Sequence, residues 1–213
     1  MKIRAVLWDF GGVLTTSPFD AFNRFEEQRG YPRDFIRSIN ATNPDRNAWA
    51  RLEANRISAQ EFDHAFRDES SAAGHAIRGA DVLGLLDGDV RPRMVQVLER
   101  VKQDFRVACL TNNIRPRNHP SNDADTPRAH AVDAVMNLFE YVLESSVEGM
   151  RKPETRFYQL ACSRLQVEPT EVVYLDDLGI NLKPARALGM TTIKVVSEQQ
   201  AIDDLGHALG VNF

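Results

Sequence analysis

Ala5-Val6-Leu7-Trp8-Asp9-Phe10-Gly11-Gly12-Val13-Leu14 runs four apolar residues into one aspartate and, after Phe10, follows it with two glycines. An unbroken apolar run of this length reads as a buried strand, and the glycines let the chain turn sharply as it leaves the sheet. Such a strand holds a carboxylate at the sheet edge, where open α/β proteins build their sites. Two later stretches have the same form. Val172-Val173-Tyr174-Leu175-Asp176-Asp177 closes an apolar run with two adjacent carboxylates, and Val107-Ala108-Cys109-Leu110-Thr111-Asn112-Asn113 closes one with a hydroxyl and two amides. Three strand ends bearing an acid, a hydroxyl with amides, and an acid pair predict one shared site.

Working outward, a chain of 213 residues fits one domain, or one domain with a substantial insert. Its 43% hydrophobic and 26% charged residues describe an ordinary soluble chain able to bury a core. A net charge of −4 without a dense Lys/Arg stripe argues against nucleic acid as a partner. Cys109 and Cys162 both lie in apolar segments and read as small buried hydrophobes of a reducing compartment rather than as a disulfide. Met1-Lys2-Ile3-Arg4 leads straight into the first strand, which leaves no room for a signal peptide, and no apolar run approaches the ~20 residues of a membrane span. The expected setting is cytoplasmic, with a small molecule rather than a membrane or nucleic acid as partner. The oligomeric state is not written in the sequence.

Between Thr16 and Arg91 the pattern turns helical. Phe19, Phe22 and Phe25 share one helix face ahead of Gly30, Trp49 and Leu52 mark a second helix, and Ser58-Ala59-Gln60-Glu61 has the spacing of a capping box. No stretch there reads as a strand, so residues 16–90 form an expected all-helical insert. From Pro92 onward helices and strands alternate: a helix to Asp104, strand 106–111, a helix near 129–138, strand 141–143, a helix from Pro153 to Leu165, strand 172–175, helix 180–188, strand 192–196 and a last helix at 199–209. Alternation of this kind predicts an α/β fold, a Rossmann-like parallel sheet covered by helices on both faces, with core residues 1–15 and 91–213 flanking the helical insert. Arg115 to Asp123 is polar and broken by proline, and reads as a loop.

Taken together the segments resemble the haloacid dehalogenase superfamily across nearly the whole chain. Four motifs stand in order: Asp9 after the first strand, Thr111-Asn112 after a later one, Lys152-Pro153 opening a helix, and Asp176-Asp177 ending another strand. Within that superfamily, residues 143–154 and 175–190 are most similar to phosphatase domains of the epoxide-hydrolase type. Singly, each motif has a commoner structural role: a turn aspartate, a capped Thr-Asn turn, a solvated lysine, an N-cap pair.

The resemblance implies that Asp9 is a nucleophile forming an aspartyl-phosphate, and that Thr111, Asn112 and Lys152 hold the phosphoryl group. It implies Mg²⁺ bound by Asp9, the Gly11 carbonyl and Asp177, with Asp176 reaching the ion directly or through water. Adjacent carboxylates cost energy unless a cation or a partner group neutralises them, which a hard divalent ion would do. Asn181, four residues after Asp177, is a weaker candidate for orienting an acid or a metal-bound water. The departure is Gly11, where most phosphatases of the superfamily carry a second aspartate that protonates the leaving oxygen. A general acid of this kind is worth about 10²–10⁴ in rate. Its absence predicts a slow or leaving-group-selective phosphatase, or one that takes its acid from Asn113, His119 or the substrate. The alternatives are a binding protein that has lapsed from catalysis and, ranked lower, a dehalogenase. Dehalogenases attack carbon without a metal and lack the acidic pair. The helical insert matches the position of the superfamily's cap, and Arg115 and Arg117 are candidates for a second anionic group of the substrate.

Overall fold

Five short segments form one sheet, buried on both sides at its centre and partly exposed at its edge strands. In the computed structural model, which describes residues 2–86, 88–113 and 126–213, they are β1 (Ala5–Trp8), β2 (Arg106–Thr111), β3 (Tyr141–Glu144), β4 (Val172–Asp176) and β5 (Thr191–Lys194). All pairings are parallel, in the order β3-β2-β1-β4-β5. The central strands β1 and β4 are fully buried, which is why they read as continuous apolar runs.

Strand alternation divides the core into two layers. Val6, Trp8, Val107, Cys109, Val173 and Leu175 face one side. There they meet α6 (Pro92–Val101), α7 (Pro127–Met136) and α11 (Glu198–Leu209). Ala5, Leu7, Ala108, Leu110, Val172 and Tyr174 face the other, against α9 (Thr155–Leu165) and α10 (Gly179–Ala187). The α8 turn (Ser145–Glu148) follows β3. Cys109 and Cys162 are buried free thiols.

The sheet order creates the place for a site. From β1 the chain continues on one side to β2 and β3, and on the other to β4 and β5, so β1 and β4 flank the switch point. Ligands of doubly wound sheets bind beyond the carboxyl ends of the strands at such a point. Trp8 pairs with Leu175, and the Asp9 N–H donates to the Leu175 carbonyl at 2.9 Å, so Asp9 leaves the sheet beside Asp176.

The chain divides into two compact units, Met1–Thr16 with Asp89–Phe213, and Ser17–Gly88. The second contains α1 (Pro18–Arg29), α2 (Phe35–Ala41), α3 (Ala48–Glu53), α4 (Ala59–Ala72) and α5 (Gly79–Leu83), with no strand among its described residues. Gly30 ends α1 in the left-handed region at φ 69°, and Ser58 and Glu61 cap α4 reciprocally. In the first unit an isolated antiparallel bridge joins Thr15 to Val90. No helix of the described residues is long and apolar enough to cross a membrane.

One expected element differs. Pro153 does not open a helix: Lys152 and Pro153 form a turn joined by a cis peptide, and α9 begins at Thr155 after Glu154. The loop expected at Arg115–Asp123, with Arg115, Arg117 and His119, lies outside the described residues.

Candidate active site

Period-two alternation along β1 and β4 sends Ala5, Leu7 and Asp9 to one face, and Val172, Tyr174 and Asp176 to the same face. This is the face covered by α9, whose buried Phe157, Tyr158 and Ala161 bring the preceding residue Lys152 into the sheet edge. The Lys152 side chain is only 2% exposed. Its Nζ lies 2.7 Å from Asp9 Oδ1 and donates to Asp176 Oδ2 at 2.8 Å. A lysine this deeply buried needs such partners, because an unpaired ammonium there would lose its charge.

Asp176 is saturated from within the protein. Its Oδ1 accepts from the Leu178 N–H at 2.8 Å and from Asn181 Nδ2 at 3.1 Å. Its Oδ2 accepts from Lys152, from Asn181 at 3.1 Å and, through a short contact, from the Tyr174 hydroxyl. Tyr158 stands behind, its ring edge-on to Tyr174 at 5.6 Å and its hydroxyl donating to the Asn181 carbonyl at 2.8 Å. The acid pair therefore divides its work. Asp176 anchors Lys152, while Asp177, only part-buried, completes a cluster in which one ligand atom each from Asp9, Asp176 and Asp177 lies within 4.8 Å of the others.

The turn after β1 fits against that cluster. Gly12 has φ 73°, and a Cβ there would stand 2.3 Å from Asp177 Oδ2 and 2.6 Å from its Cγ, so only glycine fits. A Cβ on Gly11 would meet nothing within 4 Å. The space for a longer side chain exists, and the chain does not use it.

The side chains of Asn112 and Asn113 bond the scaffold. Asn112 Oδ1 accepts from the Lys152 N–H at 2.9 Å and its Nδ2 donates to the Lys152 carbonyl at 3.0 Å, clamping the backbone that carries the buried ammonium. Asn113 bonds the corner between β3 and α8: its N–H donates to Ser145 Oγ at 3.0 Å and its Oδ1 accepts from Ser146 Oγ at 2.8 Å. Thr111 ends β2 one residue beyond the level of Asp9, 7% exposed, and its hydroxyl has no partner among the described residues. The structure thus brings Asp9, Lys152, Asp176, Asp177 and Asn181 together. Thr111 lies on the adjoining strand end, and Asn112 stands behind Lys152.

Sequence reading missed Tyr174, which it counted only within the apolar run of β4, and Tyr158, which it did not single out. The available signal was register: Tyr174 lies two residues before Asp176 and so on its face of the strand.

Three carboxylates against one ammonium leave the cluster with surplus negative charge. Burial pushes the Asp9 carboxyl well above the ordinary carboxylate range; Lys152 pulls it back, and Asp176 and Asp177 push it up again. Asp177 is pushed up to about 6 by burial and by Asp176, against the pull of Lys152 and Arg91. Burial pulls the Lys152 ammonium down, but Asp176 and Asp9 outweigh it and raise its proton affinity above the usual value. A hard divalent cation suits an all-oxygen donor set with this excess charge.

Comparison with known proteins identifies the family. Residues 3–189 match the family model of haloacid dehalogenase-like hydrolases. Mouse acyl-CoA dehydrogenase family member 10 is 32% identical over 97% of this chain, and mouse bifunctional epoxide hydrolase 2 is 29% identical over all of it. The chain spans only 19% and 40% of those two proteins. The sesquiterpene phosphatase AstK of Aspergillus oryzae is 25% identical, with 97% of each chain covered. Among solved structures, a haloacid dehalogenase family enzyme of Bacteroides thetaiotaomicron in complex with magnesium and inorganic phosphate has the same fold. It gives a TM-score of 0.57 at 20% identity, covering 90% of this chain and 93% of its own. This chain belongs to the haloacid dehalogenase-like hydrolases.

Proposed function

We propose that the chain is a Mg²⁺-dependent phosphatase of small phosphomonoesters, working through an aspartyl-phosphate at Asp9. The observation that carries this reading is Lys152 Nζ, held between Asp9 Oδ1 at 2.7 Å and Asp176 Oδ2 at 2.8 Å with Asp177 beside them. Asp9 and Asp177, with the Gly11 carbonyl as the resemblance implies, would hold the ion, and Asp176 stands behind them with its oxygens already taken. Bound there, Mg²⁺ neutralises charge on the carboxylates and on the phosphoryl oxygens.

The chain's own groups do the rest. Asp9 is kept rigid by the strand end and by its contact with Lys152, so its carboxylate is aimed before substrate arrives. Its oxygen forms a bond to phosphorus as the ester P–O bond breaks, and water then cleaves the acyl-phosphate to regenerate Asp9. Lys152 and the Thr111 hydroxyl supply charge and a donor to the phosphoryl oxygens, and Asn112 fixes Lys152. Catalysis is then mostly positioning and neutralisation, as phosphoryl transfer requires. Gly11 offers no proton to the leaving oxygen, and the Asn113 side chain is spent on the β3–α8 corner. That leaves water, the substrate or His119, which lies outside the described residues, to supply the proton, and a weak supply favours good leaving groups. The helical unit 17–88 is the natural seat of substrate choice, as a cap.

The empty place at Gly11 also favours the second reading, a binding protein without turnover. Hydrolysis of p-nitrophenyl phosphate separates the two. Turnover that requires Mg²⁺, stops with EDTA and is lost in Asp9→Asn supports the phosphatase. Phosphate binding without turnover supports the binder. Chloride release from 2-chloropropionate without metal would instead indicate a dehalogenase.

A further inference from the structure

Arg91 has a fixed backbone and an uncompensated side chain. Pro92 follows it and confines it to extended geometry, observed at φ −90° and ψ 103°. Its N–H donates to the Leu14 carbonyl at 2.8 Å, and the neighbouring Val90 bridges to Thr15, so Arg91 is tied to the end of the turn that starts at Asp9. That same turn packs Gly12 against the Asp177 carboxylate.

The guanidinium has no matching partner. Nη1 is shielded from water and makes no hydrogen bond, although the side chain as a whole is part-exposed. No carboxylate of the described residues lies within ion-pair distance of Arg91, yet its charge is felt by Asp177. A shielded guanidinium N–H without an acceptor is rare and costly. Relief comes from an acceptor that arrives with the substrate. Arginine's planar fork suits phosphoryl oxygens better than any other side chain.

We infer that Arg91 is a further phosphate-binding residue of this site, moving its guanidinium onto a phosphoryl oxygen on the Asp177 side while Lys152 holds the Asp176 side. This rests on the phosphatase reading. It places a second cation in the site that none of the four motifs contains, contributed by the residue that opens α6.

The test is calorimetric titration of inorganic phosphate into the Mg²⁺-loaded wild type, Arg91→Gln and Arg91→Lys, with p-nitrophenyl phosphate kinetics beside it. Losing one charged contact should weaken phosphate binding and raise KM by about 10- to 100-fold in Arg91→Gln. Its kcat should stay within about threefold, and Mg²⁺ affinity measured without phosphate should be unchanged, because the ion's ligands are untouched. Arg91→Lys, losing the fork but keeping the charge, should fall between the two and carries the test if Arg91→Gln does not fold. A merely structural arginine would lower the melting temperature and leave KM alone. Unchanged phosphate affinity in the folded variants, with an active wild type, overturns this inference and spares the phosphatase reading. A wild type that neither binds phosphate with Mg²⁺ nor hydrolyses the ester overturns both.

Discussion

Alanine at Gly12 should damage both the fold and its hold on Mg²⁺, whereas alanine one residue earlier should do neither. At Gly12 the backbone has φ 73°, a region that costs a non-glycine residue about 1–2 kcal/mol. The new Cβ would also lie 2.3 Å from Asp177 Oδ2, so the carboxylate must retreat by roughly 1 Å to reach ordinary contact distance. Together these predict a loss of about 2–4 kcal/mol in stability, within the range of strained or overpacked sites. Displacing one carboxylate of the proposed Mg²⁺ site should weaken Mg²⁺ by at least about 10- to 100-fold, the size seen when supporting groups of metal sites are lost. At Gly11 an added Cβ meets nothing within 4 Å, so stability should change by no more than about 0.5 kcal/mol and Mg²⁺ affinity not at all. Urea unfolding and Mg²⁺ titration of the two variants provide the comparison. Wild-type Mg²⁺ affinity in Gly12→Ala, or equal damage from both substitutions, would refute the proposed packing of this turn against the acid pair.

Three further outcomes follow from the same cluster. Lys152→Met strands Asp9 and Asp176 without their shared cation, so urea unfolding should show a loss of about 3–5 kcal/mol and the phosphatase assay no turnover. Gly11→Asp fills open space with an acid, and should raise turnover of alkyl phosphates by about 10-fold or more while changing p-nitrophenyl phosphate little, since only the poor leaving group needs the proton. The metal-free protein should lose stability as pH rises. Asp177 titrates near 6 in the fold against a reference of 3.8, so the fold holds a proton that the unfolded chain has released. Its stabilising effect is complete below about pH 4 and gone above about pH 7, at most about 3 kcal/mol for this group. Mg²⁺ should restore stability at pH 7 and barely at pH 5, read from urea midpoints with and without EDTA.

The fold was legible because its central strands are buried on both faces and end in charge. β1 and β4 declared themselves as apolar runs into Asp9 and into Asp176-Asp177, and the capping box at Ser58 and the stop at Gly30 marked helices of the insert. The division of labour inside the site was less legible. That Asp176 anchors Lys152 while Asp177 stays available depends on which side of β4 each faces, and on Tyr174, Asn181 and the Leu178 N–H converging on one carboxylate. The Asn112 side chain bonds both backbone groups of Lys152, a partner 40 residues away, a clamp the sequence did not announce beside the N–H expected to meet the phosphoryl group. Pro153 invited a helix start because proline suits that position, but tertiary placement of Lys152 takes a turn there and delays α9 to Thr155.

The central claim is that Asp9 itself receives the phosphoryl group. Acid-quenching the enzyme during turnover with Mg²⁺, reducing it with borohydride and sequencing the N-terminal peptide by mass spectrometry tests this directly, because an aspartyl-phosphate is reduced to homoserine. Homoserine at position 9, absent when EDTA is present, is the predicted result; unmodified Asp9 in an enzyme that is visibly turning over phosphomonoester would contradict the account.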